Sequence, residues 1–479
     1  MMIDNLLERR PLVRPAPVPK PTSMARRLGP NGLGLAVAAL FLGLYVLLSI
    51  SRHERMLSAA FDLGIFEQAV RAYAHGRLPV VPLKGPGYDL LGDHFHPVLA
   101  LLAPAYRLFP TPVTLLVAQA SLMALACLPI TRWAYRTAGP RAALVLGSAF
   151  GASWGIVSAV AYDFHEICFA VPLLAFAVEA LGERRWRAGV LWALPLVLVK
   201  EDLGLTVAAV GLYVAWRRGR GRRGVGLAVA VFGLGATVVE TAVLLPLANP
   251  QGVFDYWQQL PGSHAALPMM LVKLGWPPVK WLLLAMLAAP VAFVGLRSPL
   301  ALLCLPTLAW RLTASNEHYW QPSFHYSAIL MPILFGALLD VLTRRPGLRR
   351  RALAVCAAVA AVTTVVYPVR DLALPGGWHR PAHVRTAHRL LALIPDGSRV
   401  ASTNRLAPIL VARSEAVSLV CQQPGPLSAD PPEWVVADAT DPTVKSPCAE
   451  AATEASLAAY RAEGYRTVAE EDGILLLRR

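Results

Sequence analysis

The chain has 479 residues, 56% of them hydrophobic and only 16% charged, with a mean hydropathy of +0.49. A soluble protein carries about 25% charged residues, so a water-soluble globular enzyme is nearly excluded, as is a disordered or collagen-like chain. The net charge of +15 does not point to nucleic acid, because residues 371–479 hold 13 acidic and 11 basic side chains and the positive excess lies upstream, in short clusters between apolar runs. That is the pattern of cytoplasmic membrane loops.

A helical bilayer crossing needs about 20 apolar residues. Candidate spans lie near 33–50, 113–131, 142–160, 167–181, 188–199, 203–216, 224–247, 279–296, 298–310, 325–343 and 351–368. The short pairs 188–199/203–216 and 279–296/298–310 read as tight or re-entrant hairpins. The expected fold is an all-α polytopic membrane protein with about eleven transmembrane helices and a small C-terminal α/β extracytoplasmic domain. The first span starts late and no A-x-A site follows it, so it is not a cleaved signal peptide.

Arginine placement orients the chain. Arg9, Arg10, Arg14, Lys20, Arg26 and Arg27 precede the first span. Alternate loops then carry Arg132, Arg136 and Arg141; Arg184, Arg185 and Arg187; Arg217, Arg218, Arg220, Arg222 and Arg223; and Arg344, Arg345, Arg349, Arg350 and Arg351. With eleven spans, all these clusters face one side. The N-terminus is then cytoplasmic and the C-terminus extracytoplasmic, in the plasma (inner) membrane.

Three regions follow: a flexible cytoplasmic tail over 1–32, a multi-span domain over 33–370 with a long first outer loop (51–112), and the α/β domain over 371–479. In the last, SRVAST and EWVVAD read as strands, AAYRAEGY as a helix, and RTVAEEDGILLLRR as two strands around an Asp-Gly turn. Cys127, Cys168, Cys304 and Cys356 sit in apolar runs and read as core residues. Cys421 and Cys448 lie in the polar tail, either free or bonded to each other.

The polar residues concentrate in the outer loops. FDLGIFEQAVRAYAHG places Phe61, Ile65, Phe66, Ala69, Val70 and Tyr73 on one helical stripe, with Glu67 and Arg71 paired on the other face. This predicts a helix lying in the membrane interface. Asp62, near its start, reads locally as a complement to the helix dipole. LLGDHFHPVLALLAP groups Asp93, His94 and His96, a set suited to a metal, a phosphate or a hydrogen-bonded loop.

YDFHEICF sets Asp163, His165 and Glu166 between two apolar spans, as a polar cap or a cavity lining; it lacks the second histidine of a zinc-protease motif. VLVKEDLGLTV places Lys200, Glu201 and Asp202 between two hydrophobic runs. Each charge beside hydrocarbon costs about 2.5–3.5 kcal/mol at a helix centre, so such groups are functional or paired. RLTASNEHYWQPSFHYSA offers Arg311, Asn316, Glu317, His318, Tyr319, Trp320, Gln321, His325 and Tyr326, either an interfacial aromatic belt or a sugar-binding surface. Phosphate-loop, nucleophile-elbow and dinucleotide motifs are absent, which disfavours ATP-driven transport and serine hydrolysis.

FDLGIFEQA, LGDHFHP, DFHE and KEDLG, in this order and spacing, resemble an uncharacterised bacterial family of polytopic membrane proteins defined only as a domain of unknown function. That family looks related to the GT-C superfamily of membrane glycosyltransferases, which use lipid-phosphate sugars. The resemblance covers about residues 33–370. It implies transfer of a sugar from a polyprenyl-phosphate donor to an extracytoplasmic glycan, lipid or protein acceptor. In GT-C enzymes an acidic residue soon after the first span serves as base. Asp62 matches that position, but the second adjacent acid is missing, so Asp62, Glu67 and Asp93 all stay candidates. His94, His96, Asp163, His165, Glu166, Lys200, Glu201, Asp202, Arg311, Glu317, His318 and His325 are the expected substrate-binding groups. A divalent metal at Asp93, His94, Asp163 and Glu166 is one option, though no residue is assigned as a metal ligand. Two other readings remain: a transporter or lipid flippase using the Lys200–Asp202 trio, and a non-catalytic assembly protein with the tail as its binding module. A shared site requires Asp62, Asp93, His94, Asp163, Glu166, Lys200 and Glu201 to converge on one outward cavity.

Overall fold

The computed structural model describes residues 23–219, 223–254, 256, 272–422, 431–441 and 447–479. The expected flexible tail lies outside these residues up to position 22, as do Arg220 and Arg222. The chain is mostly helical, with a small C-terminal sheet.

Among the described residues four helices are long and apolar enough to cross a membrane: Leu28–Glu54, Pro112–Ala138, Gly224–Ala248 and His325–Arg344. The pair Pro140–Gly151 and Trp154–Tyr162, bent by 41°, makes a fifth if taken as one span. This is fewer than the eleven that hydropathy suggests. Several apolar runs fold as shorter helices, including Pro97–Leu108, Trp186–Leu198, Val279–Val291 and Pro299–Thr313. Proline accounts for much of the difference. Pro195, Pro290 and Pro299 sit within 3-10 turns, where a missing N–H and a fixed φ interrupt the α-helical ladder. Hydropathy counts apolar residues and does not register these breaks.

The helices Leu203–Arg218 and Gly224–Val239 form a close hairpin. A Cβ on Gly211 would lie 2.5 Å from the Ala230 nitrogen, and one on Gly226 2.5 Å from the Ala215 nitrogen. Glycines facing each other allow backbone-to-backbone approach, the usual means of helix association in lipid. The hairpin also fixes the KEDLG turn at its mouth, because the Thr237 hydroxyl donates to the Glu201 carbonyl at 2.8 Å.

The C-terminal sheet comprises β1 (Arg399–Ser402), β2 (Ala416–Leu419), β3 (Trp434–Asp438), β4 (Arg466–Glu471) and β5 (Ile474–Arg478), in the order β2-β1-β3-β5-β4. Strand β1 is parallel to both neighbours, β2 and β3, and β5 is antiparallel to β3 and β4. Asp472 and Gly473 turn the last hairpin with φ of 50° and 77°, as a tight two-residue turn requires. The helix near AAYRAEGY spans Glu450–Ala462; β2 and a helix at Ala382–Leu391 are additional to the sequence reading. Cys421 and Cys448 are disulfide-bonded, with Cα atoms 5.8 Å apart.

The long loop after the first span departs from its expected arrangement. Its helix spans Ile65–Ala74, so Phe61 and Asp62 precede it in non-helical conformations. Glu67 and Arg71 do not pair on an open polar face. Glu67 is fully buried and accepts the Tyr106 hydroxyl at 2.8 Å. Arg71 donates to the carbonyls of Val411 (2.8 Å) and Ser414 (2.6 Å) in the sheet domain. The face expected to meet water is covered by protein.

The hairpin packing is directly testable. Gly211→Leu should push the two helices apart and cost at least ~2 kcal/mol, the overpacking range, read as a lower unfolding midpoint in detergent. Gly235→Leu, where a Cβ meets nothing within 4 Å, should leave the midpoint within about 1–2 °C of wild type.

Candidate functional site

A cavity of about 320 Å³ lies among the loops that carry the sequence motifs. Ten of the residues singled out by sequence line it: Asp62, Asp93, His94, His96, His165, Glu166, Lys200, Glu201, Asp202 and His325. They come from five separate stretches of the chain. The pairing of their charges explains how the stretches meet.

Asp62 Oδ1 lies 2.8 Å from Nε2 of the buried His165. The His165 ring stacks on His325, with centroids 3.6 Å apart. Lys200 Nζ donates to Glu166 Oε1 at 3.2 Å. Glu201 receives His94 Nδ1 at 2.7 Å and the Phe95 amide at 3.1 Å. Asp202 accepts the Trp310 indole N–H at 2.9 Å. The three neighbours of the KEDLG turn therefore have partners on three different elements, rather than forming an internal ion pair. On the far wall Lys84 Nζ donates to Asp93 Oδ2 at 3.0 Å, and the Tyr256 hydroxyl to Asp93 Oδ1 at 3.3 Å.

The DFHE turn is held from behind. Gln119 donates to the Asp163 carbonyl and accepts the His165 amide at 2.9 Å. Asp163 has φ 138° and ψ −171°, a conformation that costs a non-glycine residue about 1–3 kcal/mol. Its carboxylate accepts the Ala59 amide at 2.8 Å. Asp163 thus does not line the cavity; it anchors the segment leading to Asp62.

Electrostatics follow from burial and these pairs. Burial, with the Asp62 charge adding to it, pushes the Asp163 carboxyl up to about 8. Burial alone would raise Glu166 too, but Lys200 and then His165 outweigh it and hold that carboxyl at about 2. For His165, burial favours the neutral ring, yet the Asp62 carboxylate and its hydrogen bond prevail and raise its pKa.

Four other candidates lie off the cavity lining. Glu67 is engaged by Tyr106. Arg311 is completely buried and donates to the carbonyls of Tyr319 (2.7 Å) and Tyr326 (3.2 Å) and to the Ser327 hydroxyl (3.2 Å). It fixes the aromatic wall from behind. Glu317 and His318 are exposed, with His318 Nδ1 2.8 Å from Asn316 Oδ1. Asp93, His94, Asp163 and Glu166 do not form one ligand set, and among the described residues no group of three or more His, Cys, Asp or Glu is arranged to hold a metal ion.

The cavity also contains residues that the motif reading passed over. Lys84, Tyr256 and Trp310 line it, beside Phe61, Tyr319 and Tyr326 of the motifs themselves. Tyr256 stacks on His94 at 4.4 Å between ring centroids, and Lys84 lies 5.4 Å from the Phe61 ring centre. Nothing local in the sequence marks Lys84 or Tyr256. The aromatic density around Trp310 was the one available signal.

A family model matches residues 52–476, a stretch that includes the whole cavity lining and all of the C-terminal sheet except the end of β5. The chain belongs to the family described as Predicted membrane protein (DUF2079). No curated protein matches it. Membership in this uncharacterised family makes the chain a membrane protein, consistent with its long apolar helices, and leaves its chemistry to be argued from the cavity.

Asp163 supplies a pH test. The folded carboxyl keeps its proton up to about pH 8, whereas the unfolded one releases it near pH 4, so its contribution to stability falls as pH rises through that window. Asp163→Asn keeps an acceptor for the Ala59 amide and does not titrate. The unfolding midpoint of the variant minus that of wild type should grow by at least ~3 °C between pH 5 and pH 8. A difference independent of pH would contradict the assignment.

Proposed function

We propose that this family member is a membrane glycosyltransferase of GT-C type, acting on the extracytoplasmic face. The donor is a sugar joined through its anomeric carbon to a polyprenyl phosphate. The acceptor is a hydroxyl of a glycan, lipid or protein. The observation that carries the reading is the composition of one cavity. It combines a carboxylate on a buried histidine, cations from Lys84 and Lys200, and an aromatic wall of Tyr256, Trp310, Tyr319 and Tyr326. Aromatic faces suit a sugar ring, cations suit a phosphate, and a positioned carboxylate suits an attacking hydroxyl.

In this mechanism Asp62 takes the proton of the acceptor hydroxyl as its oxygen attacks the anomeric carbon. The bond from that carbon to the phosphate oxygen breaks, the configuration inverts, and polyprenyl phosphate leaves. His165 orients the Asp62 carboxylate. Lys200, already beside a carboxylate, stabilises charge growing on the leaving phosphate. Glu166 holds that cation in place, and Glu201 orients the His94 ring.

The proposed topology has a cytoplasmic N-terminus, an extracytoplasmic C-terminus and about eleven crossings. Alternating arginine clusters support it. So does the Cys421–Cys448 disulfide, since such bonds persist in oxidising compartments. Alkaline phosphatase fused to the C-terminus should be active, and a Sec-exported green fluorescent protein fused there should be dark. The reverse pair of results would place the C-terminus in the cytoplasm.

Asp62→Asn retains size and most hydrogen bonding but removes the base. It should reach the membrane at wild-type level and lose at least ~10²-fold in transfer rate. In cells, a deletion strain with altered surface glycans should be restored by wild type and not by the variant. Full restoration by Asp62→Asn, at matched membrane abundance, would end the assignment of Asp62 as base.

A further inference from the structure

The C-terminal sheet touches both walls of the cavity. After β1, Asn404 turns toward the segment that carries Asp62. Its carbonyl accepts the Ala60 amide at 2.8 Å, and its side-chain Oδ1 accepts the Phe61 amide at 3.3 Å. These are the two residues immediately before Asp62, in a stretch whose Phe61 and Asp62 are non-helical. Such amides have no helical partner of their own, and Asn404 supplies one.

After β2, Gln422 reaches the opposite wall. Its Nε2 donates to the Leu83 carbonyl at 2.8 Å, while the Leu83 amide donates to Gln68 Oε1 at 3.1 Å. Gln68 in turn donates to the Val417 carbonyl within β2 at 2.8 Å. Leu83 precedes Lys84, which binds Asp93. Gln422 adjoins Cys421, so the disulfide to Cys448 ties this contact to the body of the domain. Both contacts leave the carboxyl ends of adjacent parallel strands, the edge at which α/β sheets usually present functional loops.

We propose that the C-terminal sheet domain is a positioning clamp for the cavity, in which Asn404 sets the Asp62 turn and Gln422 sets the Lys84 loop. Neither side chain lines the cavity; each acts through the backbone next to a residue that does. Two walls contributed by distant parts of the membrane region are thereby referenced to one rigid sheet. The clamp is a property of the cavity whatever reaction it supports, so it survives failure of the glycosyltransfer reading.

Hydrogen exchange read by mass spectrometry on the full-length protein in detergent tests it. Asn404→Ala should accelerate exchange at least ~5-fold in peptides covering 57–66, with peptides of β3 unchanged. Gln422→Ala should do the same for peptides covering 79–88 and spare 57–66. Asn404→Asp keeps the accepting oxygen and should retain protection of 57–66, a rescue that bulk packing alone would not predict. Wild-type exchange in both alanine variants would overturn the proposal. So would loosening spread evenly over the two segments and the sheet, or equal loss of protection in Asn404→Asp and Asn404→Ala.

Discussion

Ionised side chains next to hydrocarbon must find partners, and that constraint organises the whole cavity. Isolated, each would cost several kilocalories. Among the described residues lining the cavity, both lysines meet a carboxylate, Lys200 with Glu166 and Lys84 with Asp93, and two histidines do so as well, His94 with Glu201 and His165 with Asp62. Three of these four pairs join different loops, so satisfying the charges draws the loops together. The KEDLG turn is the hub. Its three consecutive ionisable residues point to three elements, and Thr237 of the glycine hairpin anchors its backbone.

Polar groups that do not line the cavity serve the same arrangement indirectly. Arg311 satisfies backbone carbonyls behind Tyr319 and Tyr326 and so holds two aromatic rings in place. Gln119 and Asp163 pin the DFHE turn against the residues before Asp62. A buried carboxyl that keeps its proton suits such a role, because it can accept a hydrogen bond without introducing a second charge beside Asp62. Buried polar networks of this kind specify geometry when every member is engaged.

The docked sheet changes the meaning of the long loop after the first span. An amphipathic helix with an apolar stripe ordinarily lies on a membrane with its polar face in water. In this protein Gln68 instead bonds to a carbonyl of β2, Arg71 to carbonyls just before that strand, and Glu67 to Tyr106. The helix is enclosed by protein on the side expected to be wet, which ties the position of Asp62 to the tail.

The sequence by itself determined the class of protein, the concentration of polar residues in four loop motifs, and most strands of the tail. These are readable because hydropathy, charge scarcity, strand-length apolar runs and an Asp-Gly turn are local properties. It over-counted long helices, since apolar composition does not reveal where prolines divide a run into 3-10 turns. It also placed Glu67, Asp163 and Arg311 beside the cavity residues, although they face supporting structure. Lys84 and Tyr256 escaped notice because a single lysine or tyrosine in a loop carries no pattern. Only the tertiary structure decided which carboxylate faces which cation, and that the tail reaches the Asp62 turn. Some of those contacts, His94 with Glu201 and Asn404 with Phe61, join residues more than a hundred or even three hundred positions apart. Periodicity states that a buried charge needs a partner, but the partner is chosen by packing.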